Sequence, residues 1–153
     1  MRLTRYLLKE GEESAITTER QIIKGIKGGK FTVDGYETVT DDFHCDDFRL
    51  TSLEGCAGTV EGDFSATHNK LTTLAGIDGF IKEIKGNLDV TRNPIKSAVL
   101  GVLKIKGLQS IKMDDKKVGE ILNKYLPNSQ GNKGVMLCQS ELLDEGLDDF
   151  AEL

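Results

Sequence analysis

No apolar run in the chain approaches the roughly 20 residues that cross a bilayer, so a membrane-spanning helix is excluded and a soluble protein is expected. Residues 1–10 set Arg2, Arg5 and Lys9 among Leu3, Tyr6, Leu7 and Leu8. Neither a long apolar stretch nor a small-residue cleavage site follows, which argues against a secretory signal. Cysteine is scarce: Cys45, Cys56 and Cys138 cannot all pair within one chain and show no CxxC spacing, so a reducing cytosol fits better than a disulfide framework. Positive charge is in deficit. A formal net charge of -5 leaves no basic face of the kind that tracks a nucleic-acid backbone, and the basic stretch from Lys24 to Lys30 is too short to supply one.

What is present suffices for one domain. A chain of 153 residues with 38% hydrophobic and 29% charged side chains can bury roughly 70% of its unfolded surface. The organising signal is an internal repeat. Phe43-x-Cys45-x-x-Phe48-x-Leu50-x-x-Leu53-x-Gly55 recurs, shifted by 21, as Phe64-x-Ala66-x-x-Asn69-x-Leu71-x-x-Leu74-x-Gly76. A third copy, Leu88-x-Val90-x-x-Asn93-x-Ile95, follows after 24 residues, which predicts an enlarged outer loop around Ile77 to Lys85. A fourth strand is expected at Ile111-x-Met113, 23 residues further on, with 94–106 as the crossover.

Such a pattern predicts a parallel coil in which alternate strand residues point inward, so that Phe43/Cys45, Phe64/Ala66 and Leu88/Val90 stack as core columns. Asn69 and Asn93 stand where an asparagine side chain replaces the backbone hydrogen bonds that a bend removes, and Phe48 departs from this rule as a terminal repeat would. The fold class expected is α/β (α+β): a short leucine-rich-repeat-like solenoid of about three to four parallel strands with helical caps at both ends. As one domain, residues 1–40 form an N-terminal cap, 41–113 the array and 114–153 a C-terminal helical cap. In the first cap, Thr18 to Gln21 has capping-box spacing before Ile22, Ile23 and Ile26, and Gly28-Gly29 would end that helix. Phe31 and Val33 then alternate before an Asp34-Gly35 turn, as in a strand or hairpin. In the second cap, Val118, Ile121, Leu122 and Tyr125 lie at helical spacing before Pro127. A loop from Asn128 to Gly134 leads to Leu142, Leu143, Leu147 and Phe150.

Several residue types that do chemistry stand close together without a diagnostic arrangement. Asp41-Asp42-Phe43-His44-Cys45-Asp46-Asp47 is rich in metal-ligand types, yet strand alternation sends Cys45 inward and His44 outward, so no metal site and no cofactor are expected. Cys45, matched by Ala66, reads as a small buried hydrophobe. No nucleophile motif accompanies His68, so no catalytic residue is assigned. Lys24 to Lys30 lacks the GxxxxGK[ST] spacing of a phosphate loop. What remains is the outward strand face: Asp42, His44 and Asp46 beside Asp63, Ser65 and Thr67, then Asn87, Asp89 and Thr91. The column Asp42, Asp63, Asn87 would bring two carboxylates together with no cation between them, a tension that a basic partner could relieve.

Leu50-Thr51-Ser52-Leu53-Glu54-Gly55, Gly62-Asp63-Phe64 and His68-Asn69-Lys70-Leu71-Thr72-Thr73-Leu74 resemble leucine-rich-repeat-like proteins of large tailed bacteriophages, most strongly over residues 41–95. The stretch from Ile121 to Leu126 and the one from Cys138 to Leu143 resemble the ending of such proteins. Met1 to Glu10 is similar to the capsid-targeting segments of phage internal head proteins, which are cut after Leu/Ile-x-Glu; Leu8-Lys9-Glu10 before Gly11 fits that cut, and so does Leu143-Asp144-Glu145 before Gly146. The function expected is a nonenzymatic protein–protein interaction module that acts in the host cytoplasm on a host or phage protein. A virion structural or internal head protein and a small metal-dependent hydrolase are the alternatives. Virion association or homo-oligomerisation is compatible with either nonenzymatic role; a membrane or nucleic-acid partner is not expected.

Overall fold

The computed structural model describes residues 26–31, 38–126 and 132–153. The expected N-terminal helix, the capping box at Thr18 to Gln21, the Asp34-Gly35 turn and the Leu8, Glu10, Gly11 processing sequence lie outside these residues. Among the described residues the molecule is mixed α/β, with two parallel sheets, three helices and no closed barrel.

Gly28 and Gly29 turn a hairpin. Strands β1 (Ile26–Lys27) and β2 (Lys30–Phe31) pair antiparallel, with Ile26 opposite Phe31. Both glycines have positive φ, 62° and 82°, as a two-residue hairpin loop requires, so they reverse a strand instead of ending a helix. Phe31 accordingly pairs back to Ile26. The hairpin lies on the coil that follows: the Thr51 amide donates to the Gly29 carbonyl at 2.9 Å, and the Phe31 ring sits 6.3 Å from that of Phe43.

From residue 38 the chain alternates between two sheets. The larger contains β4 (Phe43–His44), β6 (Phe64–Ser65), β8 (Asn87–Asp89) and β9 (Ser110–Lys112), all parallel, with Phe43 beside Phe64, Leu88 beside Phe64 and Ile111 beside Leu88. The strand at Ile111 thus falls at the 23-residue shift expected of it. A smaller sheet was not foreseen. It joins β3 (Thr38–Val39), β5 (Thr59–Val60) and β7 (Glu83–Ile84), and Glu83 bridges on to Lys106. Thr38–Val39, assigned to the cap on sequence, belongs to this sheet, whose inward column Val39, Val60, Ile84 is buried. A parallel bridge between Thr73 and Ser97 marks a third side.

The core between these sides consists of stacked matching positions. Phe43, Phe64, Leu88 and Ile111 are buried, as are Cys45, Ala66, Val90 and Met113. Leu50 and Leu71 are buried above a half-buried Ile95, and Leu53, Leu74 and Ala98 form the next buried set. Each buried leucine or phenylalanine contributes about 1.5–3 kcal/mol, and the Phe43 and Phe64 rings, tilted at a centroid distance of 5.0 Å, add the smaller term of an aromatic pair. The outer loop enlarged by the 24-residue spacing holds helix α1 (Ile77–Phe80), which buries Ile77. One coil later a 3₁₀ turn, Leu100–Lys104, buries Leu100, Val102 and Leu103.

Helix α2 (Lys116–Tyr125) closes the far end. Asp115 caps it by accepting from the Val118 amide at 3.0 Å, and Val118, Ile121 and Leu122 are buried. An unpaired strand edge invites pairing with another chain, and α2 covers that of β9. Asn123 Oδ1 accepts from the Ile111 amide at 2.8 Å while its Nδ2 donates to the Ile111 carbonyl at 3.0 Å. Helix α3 (Asn132–Asp144) includes Asn132 and Lys133, which the sequence assigned to the loop before Gly134. Gly146, at φ 76°, ends it: the Leu147 amide donates to the Leu142 carbonyl at 2.8 Å and the Gly146 amide to that of Leu143 at 3.0 Å, the paired bonds of a Schellman stop. The Lys124 ammonium and the Tyr125 hydroxyl both donate to Glu141, tying α2 to α3. A 3₁₀ turn, Asp148–Ala151, then bonds back to the array, with the Ala98 and Val99 amides donating to the Asp149 and Phe150 carbonyls.

Candidate binding face

The outward face of the larger sheet is laid out by strand register. Its central column runs His44, Ser65, Asp89, Lys112. On either side stand Asp42, Asp63, Asn87 and Ser110, and then Asp46, Thr67 and Thr91. Alternation separates ligand types here: Cys45 is buried while His44 is exposed, with Nδ1 3.7 Å from Asp46 Oδ2. Among the described residues no three His, Cys, Asp or Glu side chains converge on a point that could hold a metal ion.

Most of the face is held by hydrogen bonds between coils. Asp42 Oδ1 accepts from the Asp63 amide at 2.8 Å, Asp63 Oδ1 from the Asn87 amide at 2.8 Å, and Asn87 Oδ1 from the Ser110 hydroxyl at 2.8 Å. The two carboxylates that looked unrelieved therefore each have a backbone N–H dipole of the next coil as partner, and the column is a ladder that needs no basic ligand. Glycine makes room for it: a Cβ at Gly62 would overlap Asp42 Oδ1, and one at Gly86 would overlap Asp63 Oδ1. The paired Gly62-Asp63 and Gly86-Asn87, at the same shift of 24 as the strands, are the sequence signal for this ladder. Asp46 Oδ1 accepts from the Ser65 hydroxyl, the Thr67 amide and the Thr67 hydroxyl. Asp89 Oδ1 accepts from the Thr91 amide and hydroxyl.

A second ladder runs along the other end of the strands. Asn69 Oδ1 accepts from the Phe48 and Leu50 amides at 2.9 and 3.0 Å, and its Nδ2 lies within 3.0–3.2 Å of the Cys45, Ala66 and Thr67 carbonyls. Asn93 repeats the arrangement one coil on, accepting from the Leu71 amide and donating to the Ala66, Val90 and Thr91 carbonyls. Each asparagine thus serves its own bend and the coil before it. The first coil of the larger sheet carries Phe48 at this position, and its bend is held by Asn69 of the next coil.

Beside the asparagines, Asp47, His68 and Arg92 occupy matching positions with φ of 62°, 57° and 61°. A left-handed conformation costs a non-glycine residue roughly 1–2 kcal/mol, so these three exposed side chains are kept on the rim at some expense in stability. Arg92 Nη1 lies 3.4 Å from His68 Nε2, and the Arg92 amide donates to Asp114 of the fourth coil at 2.9 Å. Sequence reasoning placed neither this rim nor Ser110, Lys112 and Asp114 on the face.

None of the cysteines is poised as a nucleophile. Cys45, Cys56 and Cys138 are free and buried. Burial, reinforced by the neighbouring Cys56, pushes the Cys45 thiol far up; burial raises Cys56 strongly, and burial with the nearby Glu141 carboxylate pushes Cys138 up to about 12. At pH 8 the native protein should therefore take up no maleimide or iodoacetamide within minutes, whereas all three thiols should react once guanidinium unfolds it. Intact-mass spectrometry reads the difference, and a rapidly labelled native thiol would contradict this burial. The chain matches no protein-family model, no curated protein and no solved structure.

Proposed function

We propose that the chain is a phage-encoded, nonenzymatic interaction module acting in the host cytoplasm. In this reading the coils make a short leucine-rich-repeat-like solenoid that engages a host or phage protein through the outward face of the larger sheet. The observation that carries it is the bracing of that face. Four parallel strands present polar side chains in register, and side-chain ladders fix both ends of the strands to the neighbouring coils. Groups held in place before contact lose little conformational freedom on binding, which favours recognition by a flat polar surface. The short parallel strands and the asparagines serving successive bends support the solenoid reading. The phage assignment rests on resemblance alone, strongest over residues 41–95 and joined by the stretches 1–10, 121–126 and 138–143.

The test must avoid residues that hold the backbone, since Asp42, Asp63 and Asp46 brace the coils. His44→Glu and Lys112→Glu reverse or add charge on exposed members of the central column. With the chain as bait in lysate of infected cells, each variant should retain at least about tenfold less of the specific partner, as truncated interface contacts do. Lys82→Glu and Lys106→Glu, at and beside the edge of the smaller sheet, should change nothing. Full retention by the first pair would remove this surface from consideration.

A further inference from the structure

Helix α3 carries apolar side chains on both faces. Val135, Cys138 and Leu142 are buried against the body, while Met136, Leu137 and Leu143 stand 64%, 50% and 49% exposed. Leu143, which the sequence places in the C-terminal helical cap, faces solvent there. Helix α2 shows the ordinary alternative, since its exposed residues Lys116, Lys117, Glu120 and Lys124 are all charged. A helix apolar all round is normally covered all round, and clustered exposed hydrophobes mark an interaction surface. The chain end belongs to the same region: Gln139 Nε2 donates to the Ala151 carbonyl at 2.9 Å, and Leu153 beyond it is 79% exposed.

At about 100° per residue, Met136, Leu137, Ser140 and Leu143 share one sector of α3, with Lys133 at its start and Asp144 at its end. We propose that a second copy of this chain covers this sector, the two α3 helices crossing antiparallel about a two-fold axis beside Ser140. The order of residues is self-complementary under that operation. Leu137 of one copy lies level with Leu143 of the other across the interface, since both lie three positions from Ser140. The serines meet each other at the axis, where a small side chain allows close approach of the helices. Lys133 of each copy comes within about three residues, roughly 4.5 Å along the axis, of Asp144 of the other, a gap that a lysine stem spans. Charge supports the pairing, because the adjacent carboxylates are engaged within the copy: Glu141 with Lys124 at 2.7 Å and Glu145 with Lys117 at 3.1 Å. Asp144 is the exposed anion beside the apolar sector.

One face of a 13-residue helix is smaller than the roughly 800 Å² per partner of a standard interface, so the dimer is expected to be weak, with Kd on the order of 10⁻⁵ to 10⁻³ M. Sedimentation velocity on the full chain from about 10 μM to 1 mM should show a monomer–dimer equilibrium in this range. Leu137→Lys should raise Kd at least tenfold, roughly the effect of losing a central anchor. Lys133→Glu and Asp144→Lys should each weaken dimerisation, and the double variant should recover it, because both ion pairs are then re-formed with signs exchanged. These positions are exposed, so circular dichroism should report unchanged folding. A monomer across the whole range would overturn the proposal, and so would a double variant no better than either single one. Cross-links from Lys133 to residues 1–25 of the same molecule would equally overturn it, by naming another occupant of the face.

Discussion

Replacing Asn69 with leucine should lower the unfolding free energy by about 4 kcal/mol, as expected when several buried backbone groups lose partners worth 1–3 kcal/mol each. The size follows from which groups have a second partner. The Ala66 carbonyl also accepts from Asn93 Nδ2, and the Thr67 carbonyl also accepts from the Asp47 backbone amide. The Phe48 and Leu50 amides and the Cys45 carbonyl are the groups for which Asn69 matters most. Leucine fills similar space, so little of the loss comes from a cavity. Asn93→Leu should cost less, about 2–3 kcal/mol, because it chiefly strips the Leu71 amide and the Val90 carbonyl. Against a total stability on the order of 5–15 kcal/mol, the Asn69 variant should melt about 10 °C lower. Urea unfolding of the two variants checks both size and order. An Asn69 variant losing under about 1 kcal/mol, or less than the Asn93 variant, would mean that the bends are held by something other than the asparagines.

The same asymmetry between groups seen in sequence and groups seen in space decides what was legible beforehand. The larger sheet could be read because Phe43, Phe64, Leu88 and Ile111 are large, apolar and regularly spaced, and a buried column tolerates little else. Asn69 and Asn93 could be read because a buried amide must be satisfied, and a bend is where orphaned backbone groups occur. The smaller sheet escaped notice although Val39, Val60 and Ile84 follow the same shifts of 21 and 24. Two-residue strands leave no alternation to recognise. Gly28-Gly29 fits a helix end and a hairpin equally well on local grounds, and the choice is made by pairing with Phe31 and support from the first coil. The outward carboxylates were misjudged for a different reason. Sequence shows their charge and proximity, but not that the N–H of the following coil points at them. The exposure of Leu143 was not legible because helical spacing identifies apolar residues without saying which of two apolar faces meets the body.

The aspartate ladder gives the second large effect, and here two similar-looking glycines should behave differently. At Gly62 the atom in the way of a Cβ is Asp42 Oδ1, a side-chain atom, with the Asp41 and Asp42 backbone at 3.1 Å. At Gly86 a Cβ meets Asp63 Oδ1 and also the Gly62 carbonyl oxygen at 2.7 Å, which belongs to the preceding coil. Alanine at residue 62 can therefore be accommodated if Asp42 gives way, whereas alanine at residue 86 must push two coils apart. Gly62→Ala should cost about 2 kcal/mol and Gly86→Ala about 3 kcal/mol, the range of overpacking in a fitted interior. Asp42→Ala alone should cost about 1–2 kcal/mol, the worth of a charge-assisted bond to the Asp63 amide. Combined with Gly62→Ala it should add little, leaving a coupling of about 1–2 kcal/mol, because the two changes relieve and remove the same contact. Asp63→Ala should not rescue Gly86→Ala in this way, since the carbonyl of Gly62 stays where it was. Additive costs for the Gly62 and Asp42 pair would show that the carboxylate does not lie over the glycine. Rescue at Gly86 of the same size as at Gly62 would show that the coils are free to separate. In either case the outward face would lose the bracing on which its proposed use as a binding surface depends.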